Sequence, residues 1–130
     1  GTQAAPLTKL QIFALLTAAI SHDIEHPGLT NAYLVKTKSP LAIRYNDQSV
    51  LEHHHAATTF HVLSLAGCEL FATLSPAEYL EARQLVVGSI LATDMADHQR
   101  TVNVLNDLAD NSAAISPADV LRFFCHIADL

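Results

Sequence analysis

The chain has 130 residues, 50% hydrophobic and 15% charged, with thirteen acids against seven bases and a formal charge of −6. That is enough apolar material for the core of one domain and too little charge for a disordered tail, and the acidity argues against a nucleic-acid backbone as partner, which needs Lys and Arg to displace counterions. Eight histidines, against two cysteines and no tryptophan, are the anomaly, because imidazole is a common metal ligand and titrates near neutrality.

In chain order, Pro6 stands where a helix can start, and Ala/Leu-rich content predicts a helix from Leu7 to about Ser21. Its most apolar run, Leu10 to Ile20, is about half the length a bilayer needs, so it reads as a buried core helix and not a membrane segment. The triplet His26-Pro27-Gly28 ends this element. A short helix is expected around Asn31–Lys36 and another after Ser39-Pro40. Asp47 or Ser49 can cap a longer helix running through Glu52 to about Leu65. Ser75-Pro76-Ala77-Glu78 has the form of a capping box with Pro at the first helical position. The helix that follows passes Leu85, Ile90 and Leu91 and continues, with a kink, to Leu108, where Asp110-Asn111-Ser112 breaks it. Ser116-Pro117 then starts a last helix with Phe123, Phe124 and Ile127. No stretch alternates as a strand does, so the expected class is all-α. Cys68 and Cys125 are too few for a disulfide framework or a CxxC zinc site, which fits a reduced, intracellular, cytoplasmic setting. No signal-peptide pattern is read.

Chemistry concentrates in His22-Asp23-Ile24-Glu25-His26. On a helix, His22 and His26 share a face four residues apart, the spacing of a zincin. A zincin needs Glu directly after the first His, and Asp23 occupies that position, so the match fails. A carboxylate beside a His ligand can instead bridge two cations. Alone, such a pair is equally a polar cluster at a helix end.

Further blocks follow in order: His26-Pro27-Gly28-Leu29-Thr30-Asn31, then Tyr45-Asn46-Asp47 leading into Ser49-Val50-Leu51-Glu52-His53-His54-His55, then Leu91-Ala92-Thr93-Asp94-Met95, then Ala128-Asp129-Leu130. Together with His22-Asp23 they make the chain resemble the catalytic domain of the animal-type (class I) 3′,5′-cyclic nucleotide phosphodiesterases. The resemblance implies a multi-helix, HD-type phosphohydrolase domain that hydrolyses cAMP, cGMP or both to 5′-monophosphates with two divalent cations, Zn²⁺ and Mg²⁺ (or Mn²⁺). It makes His22, Asp23 and Asp129 the expected ligands of the tightly held metal, with Asp23 bridging to the second. His26, Glu52 and Thr93 would hydrogen-bond the second metal's waters, and Asn31 and His55 would support the site from behind. Met95 and Leu130 would line the substrate pocket. His53, His54, His61 and His98 need no functional account on this reading, and His126 shares the face of Asp129 and can buttress it.

The chain also departs from the family. Its upstream His-x-x-x-His, which supplies the general acid and one ligand, is absent before His22, and the downstream purine-binding Gln and stacking aromatic are not present. Residues 1–130 are therefore expected to be the central part of one catalytic domain, truncated at both ends and inactive alone. Two other readings stand beside this: a catalytically inactive helical domain kept for binding a metal or partner, and a more distant His-Asp phosphohydrolase.

Overall fold

A computed structural model of the chain describes residues 6–111 and 115–129. Within them the backbone forms α1 (Lys9–Ser21), α2 (Asn31–Lys36), α3 (Pro40–Arg44), α4 (Val50–Val62), α5 (Pro76–Leu91), a 3₁₀ turn (Met95–Asp97), α6 (His98–Asn111) and α7 (Pro117–Ala128). No strand occurs among the described residues, and no helix there is long and apolar enough to cross a membrane.

Local chemistry explains most boundaries. Thr8 caps α1 through a reciprocal box with Gln11, so Pro6 and Leu7 lie before the helix and not in its first turn. Ser39, Ser75 and Ser116 each accept a backbone N–H at the start of a helix with Pro in its first turn. The expected long helix through Ile90 is divided: α5 ends at Leu91, Ala92 and Thr93 turn, and Asp94 accepts the Ala96 N–H to start the 3₁₀ turn. The expected breaker at Asp110–Ser112 falls where α6 ends, at Asn111, with Ser112 outside the described residues. The helix predicted to Leu65 stops earlier, at Val62.

The entry to α4 is unusual. Ser49 occupies the cap position with φ 37° and its hydroxyl bonds no helix N–H. Asn31 substitutes for it from another helix: its Oδ1 accepts from the Leu51 N–H at 2.8 Å. The cap expected from Asp47 or Ser49 is thus supplied by α2, through a contact no local pattern reveals.

Packing separates two apolar clusters. The main one joins α1, α4, α5 and α7 through Ala14, Ala18, Phe60, Ala82, Val86, Ile90 and Leu121, and the smaller joins α2, α3 and α4 through Leu34, Ala42, Val50 and Leu51. α1 and α5 approach closely because their contact is lined with small side chains: Ala14, Ala18 and Ala82 are all fully buried. The consequence corrects the expectation of a wholly buried α1. Ala14, Thr17 and Ala18 face the core, while Leu16 and Ile20 stand 56% and 87% exposed.

Candidate metal centre

The ends of five helices meet at one cavity of about 600 Å³. The turn after α1 contributes Asp23 and His26, the start of α2 Asn31, the first turns of α4 Leu51, Glu52 and His55, the corner after α5 Thr93 and Asp94 with Met95 beyond, and the end of α7 Asp129. Of the residues singled out in the sequence, Asp23, His26, Asn31, Glu52, His55, Thr93, Met95 and Asp129 line this space. His22 reaches its edge through Asp129, and Leu130 lies outside the described residues.

The segment carrying His22 and His26 is not helical. α1 ends at Ser21, residues 22–25 form turns, and Glu25 takes a left-handed φ of 58°. The helix ends at Ser21, as the sequence predicts, so the face that His22 and His26 would share on a helix is not formed. α4 holds this turn in place instead, with three successive contacts. His55 Nδ1 donates to the Ile24 carbonyl at 2.7 Å, His54 Nε2 pairs with Glu25 at 3.1 Å, and the Thr58 hydroxyl bonds Glu25 at 3.3 Å. Of the three adjacent histidines, His53 points elsewhere, donating to the Ser49 carbonyl and stacking on Tyr45. His54 has a structural contact that the sequence did not reveal.

Tautomers follow from the partners. His22 Nδ1 lies 2.9 Å from the Ala19 carbonyl, which only accepts, so Nδ1 bears a proton. Its Nε2 then faces Asp129 Oδ1 at 3.0 Å. Two lone pairs that close need a proton or a cation between them, and about 3 Å is the spacing of neighbouring ligands on an ion with bonds of roughly 2.1 Å. His55 repeats the pattern: Nδ1 is committed to Ile24, and Nε2 is left 3.7 Å from Asp23 Oδ1, too far for a direct hydrogen bond. Asp23, His26 and His55 bring one ligand atom each within 4.8 Å of one another. His26 is the opposite tautomer, since its Nδ1 accepts from the Gly28 N–H at 3.0 Å and its Nε2 keeps the proton.

Four carboxylates, Asp23, Glu52, Asp94 and Asp129, line the cavity, and no Lys or Arg does. Burial raises the Glu52 carboxyl above its ordinary 4.5, with the Asn31 hydrogen bond opposing and the charge of Asp94 adding to the rise. Burial likewise lowers the His55 imidazole below 6.5, only partly opposed by the Ile24 carbonyl and Asp23. Oxygen and neutral-imidazole donors around a space with no cationic side chain are the donor set of divalent metals. Asp94, 8% exposed, is the acid that sequence reasoning passed over as a candidate. Its position next to Thr93 in the Leu91-Ala92-Thr93-Asp94-Met95 block was the available signal.

Comparison with known proteins places these residues in context. Residues 2–130 match the family model for 3′5′-cyclic nucleotide phosphodiesterase. The chain is 36% identical over its whole length to the 3′,5′-cyclic-AMP phosphodiesterase 4C of Rattus norvegicus, covering 27% of that protein. Over 80% of its length it is 40% identical to the high affinity cGMP-specific 3′,5′-cyclic phosphodiesterase 9A of Mus musculus, covering 20% of it. The crystal structure of the phosphodiesterase domain of the Salpingoeca rosetta rhodopsin phosphodiesterase superposes on 95% of the chain with a TM-score of 0.90 at 37% identity, and the chain covers 40% of that domain. The chain thus spans about a quarter or less of the length of these curated relatives.

Proposed function

The chain belongs to the 3′5′-cyclic nucleotide phosphodiesterase family, and we propose on that premise that residues 1–130 are the central part of a catalytic domain that hydrolyses 3′,5′-cyclic nucleotides to 5′-monophosphates. In that reaction the oxygen of water bonds to phosphorus, the P–O3′ bond breaks, and O3′ takes up a proton. The observation that supports this best is the cavity's donor set: four carboxylates with the unprotonated Nε2 of His55, and no Lys or Arg. An anionic phosphodiester enters such a field only when bound cations reverse it.

On this reading His22, Asp23 and Asp129 would hold a zinc ion, and the oxygen donors beside Asp23 would serve a second ion, magnesium or manganese. The mixed imidazole and carboxylate set suits the first, and an oxygen-rich surround suits the second. When bound, the cations neutralise charge on the phosphate and acidify a water. The chain's own groups orient that water and the ligands. His26 has an Nε2–H to donate, Glu52 is aimed by Asn31 through a 2.9 Å hydrogen bond, and Thr93, 6% exposed, lines the same cavity. His55 holds the Ile24 carbonyl beside Asp23 and so fixes the carboxylate's approach.

Hydrolysis assays on the full-length protein test this. Turnover of a cyclic nucleotide should vanish with EDTA and return with Zn²⁺ plus Mn²⁺, and Asp23→Asn should lower kcat by about 100-fold or more with an unchanged circular dichroism spectrum. Turnover indifferent to chelation would sink the reading. A full-length protein that binds Mn²⁺ but hydrolyses nothing would install the inactive binding domain in its place. The 130-residue chain alone is expected to be inactive, because a positioned general acid contributes roughly 10²- to 10⁴-fold.

A further inference from the structure

Bonded to Ala92, the residue before Thr93 and Asp94, is a pair of histidines outside the proposed ligand set. His126 on α7 is 2% exposed, and its Nδ1 donates to the carbonyl of Ala92 at 2.7 Å. Its Nε2 is therefore an acceptor, and His98 Nδ1, 2.8 Å away, is the donor. The rings stack with centroids 5.1 Å apart. One proton on each Nδ1 satisfies every contact, so the pair has a single consistent arrangement when both rings are neutral.

Three elements meet in this tie. Ala92 is the C-terminal cap residue of α5 and directly precedes Thr93 and Asp94. His98 is the first residue of α6, which packs on the 3₁₀ turn. His126 lies one turn before Asp129, the C-terminal cap residue of α7. The bond from His126 to Ala92 thus joins the segment bearing Thr93 and Asp94 to the helix bearing Asp129, and these residues line the same cavity. The requirement is for a side chain that donates on one edge and accepts on the other where water is excluded, which an apolar residue cannot meet.

We infer that His126 is a positioning residue, braced by His98, that sets the separation of the Thr93–Asp94 corner from Asp129 and thereby the metal affinity of the cavity. The inference rests on the phosphodiesterase reading only for its kinetic readout. Metal affinity is measured separately, from the free Mn²⁺ signal in electron paramagnetic resonance of the full-length protein, so a protein without turnover still tests it. His126→Leu should weaken Mn²⁺ binding about 10- to 100-fold. In an active protein it should raise the Mn²⁺ needed for half-maximal rate by the same factor and leave KM for the nucleotide unchanged. His126→Asn, whose amide N–H can reach the Ala92 carbonyl, should recover most of that loss. His98→Ala, which removes only the brace, should weaken Mn²⁺ binding about threefold. A folded His126→Leu protein with wild-type Mn²⁺ affinity would overturn the inference, as would an Asn variant as impaired as the Leu variant. Should the Leu variant not fold, wild-type affinity in both His126→Asn and His98→Ala would also overturn it, because the Asn variant too loses the acceptor for His98.

Discussion

Asn31 shows how much one side chain can decide. Its Oδ1 caps α4 at Leu51 and its Nδ2 holds Glu52 Oε2, so a single amide both starts a helix and aims an acid into the cavity. Removing it in Asn31→Ala leaves a half-buried N–H and a half-buried carboxylate without partners, and the expected loss is about 1–3 kcal/mol in urea unfolding. Glu52 has a pH signature of its own. Because burial raises its carboxyl above 4.5, the folded protein binds this proton more tightly than the unfolded chain does. Its contribution to stability is complete below 4.5 and is lost as pH rises through the folded-state value. Glu52→Gln removes that loss while keeping an acceptor for Asn31. The metal-free variant should therefore unfold at higher urea than wild type at pH 7, and the gap should close towards pH 4. His55 has the contrary sign: burial lowers its imidazole below 6.5, so the stability it contributes is present above 6.5 and is lost as pH falls below it.

Among the elements, two helices with serine at their caps behave differently. Ser75 closes a reciprocal box with Glu78, while Ser49 has a left-handed backbone and no capping bond from its side chain. Ser75→Ala should cost about 1 kcal/mol, and Ser49→Ala should stay within about 0.5 kcal/mol, measured by the same denaturant titration. Equal losses at the two positions would mean that the Asn31 contact is not what caps α4. The contrast also shows where sequence patterns suffice. The starts of α2, α3, α5 and α7 were legible because their caps lie in the preceding residue. The cap of α4 lies twenty residues away from Leu51, so no local rule could find it.

Over the whole molecule, the approach of α1 to α5 depends on alanines that are fully buried between them. Ala18 is fully buried in the main cluster with Ala82 and Val86. Ala18→Leu should overpack this contact and cost about 1–3 kcal/mol, seen as a lowered melting temperature. The same packing serves the cavity, since α1, α5 and α7 pack on one another and the residues that follow their C-terminal ends line it. A shift of α1 against α5 would therefore reach His22 and Asp129, whose 3.0 Å contact spans the ends of α1 and α7.

The amino-acid sequence by itself determined the all-α class, most helix starts, and the residues on which a family resemblance rested. These depend on neighbours within a few positions or on side-chain types in order, and both can be read along a chain. Only the tertiary structure decided that His54 grips Glu25, that Asp94 joins the acids and that His126 turns towards Ala92 instead of Asp129. A periodic pattern can say which residues share a face if a helix continues. How the turn at residues 22–25 is then held depends on contacts from α4 more than thirty positions away. The histidine excess was visible in the composition, but the direction of the imidazole proton on His55 and His126 is set by the Ile24 and Ala92 carbonyls, more than thirty positions away in sequence.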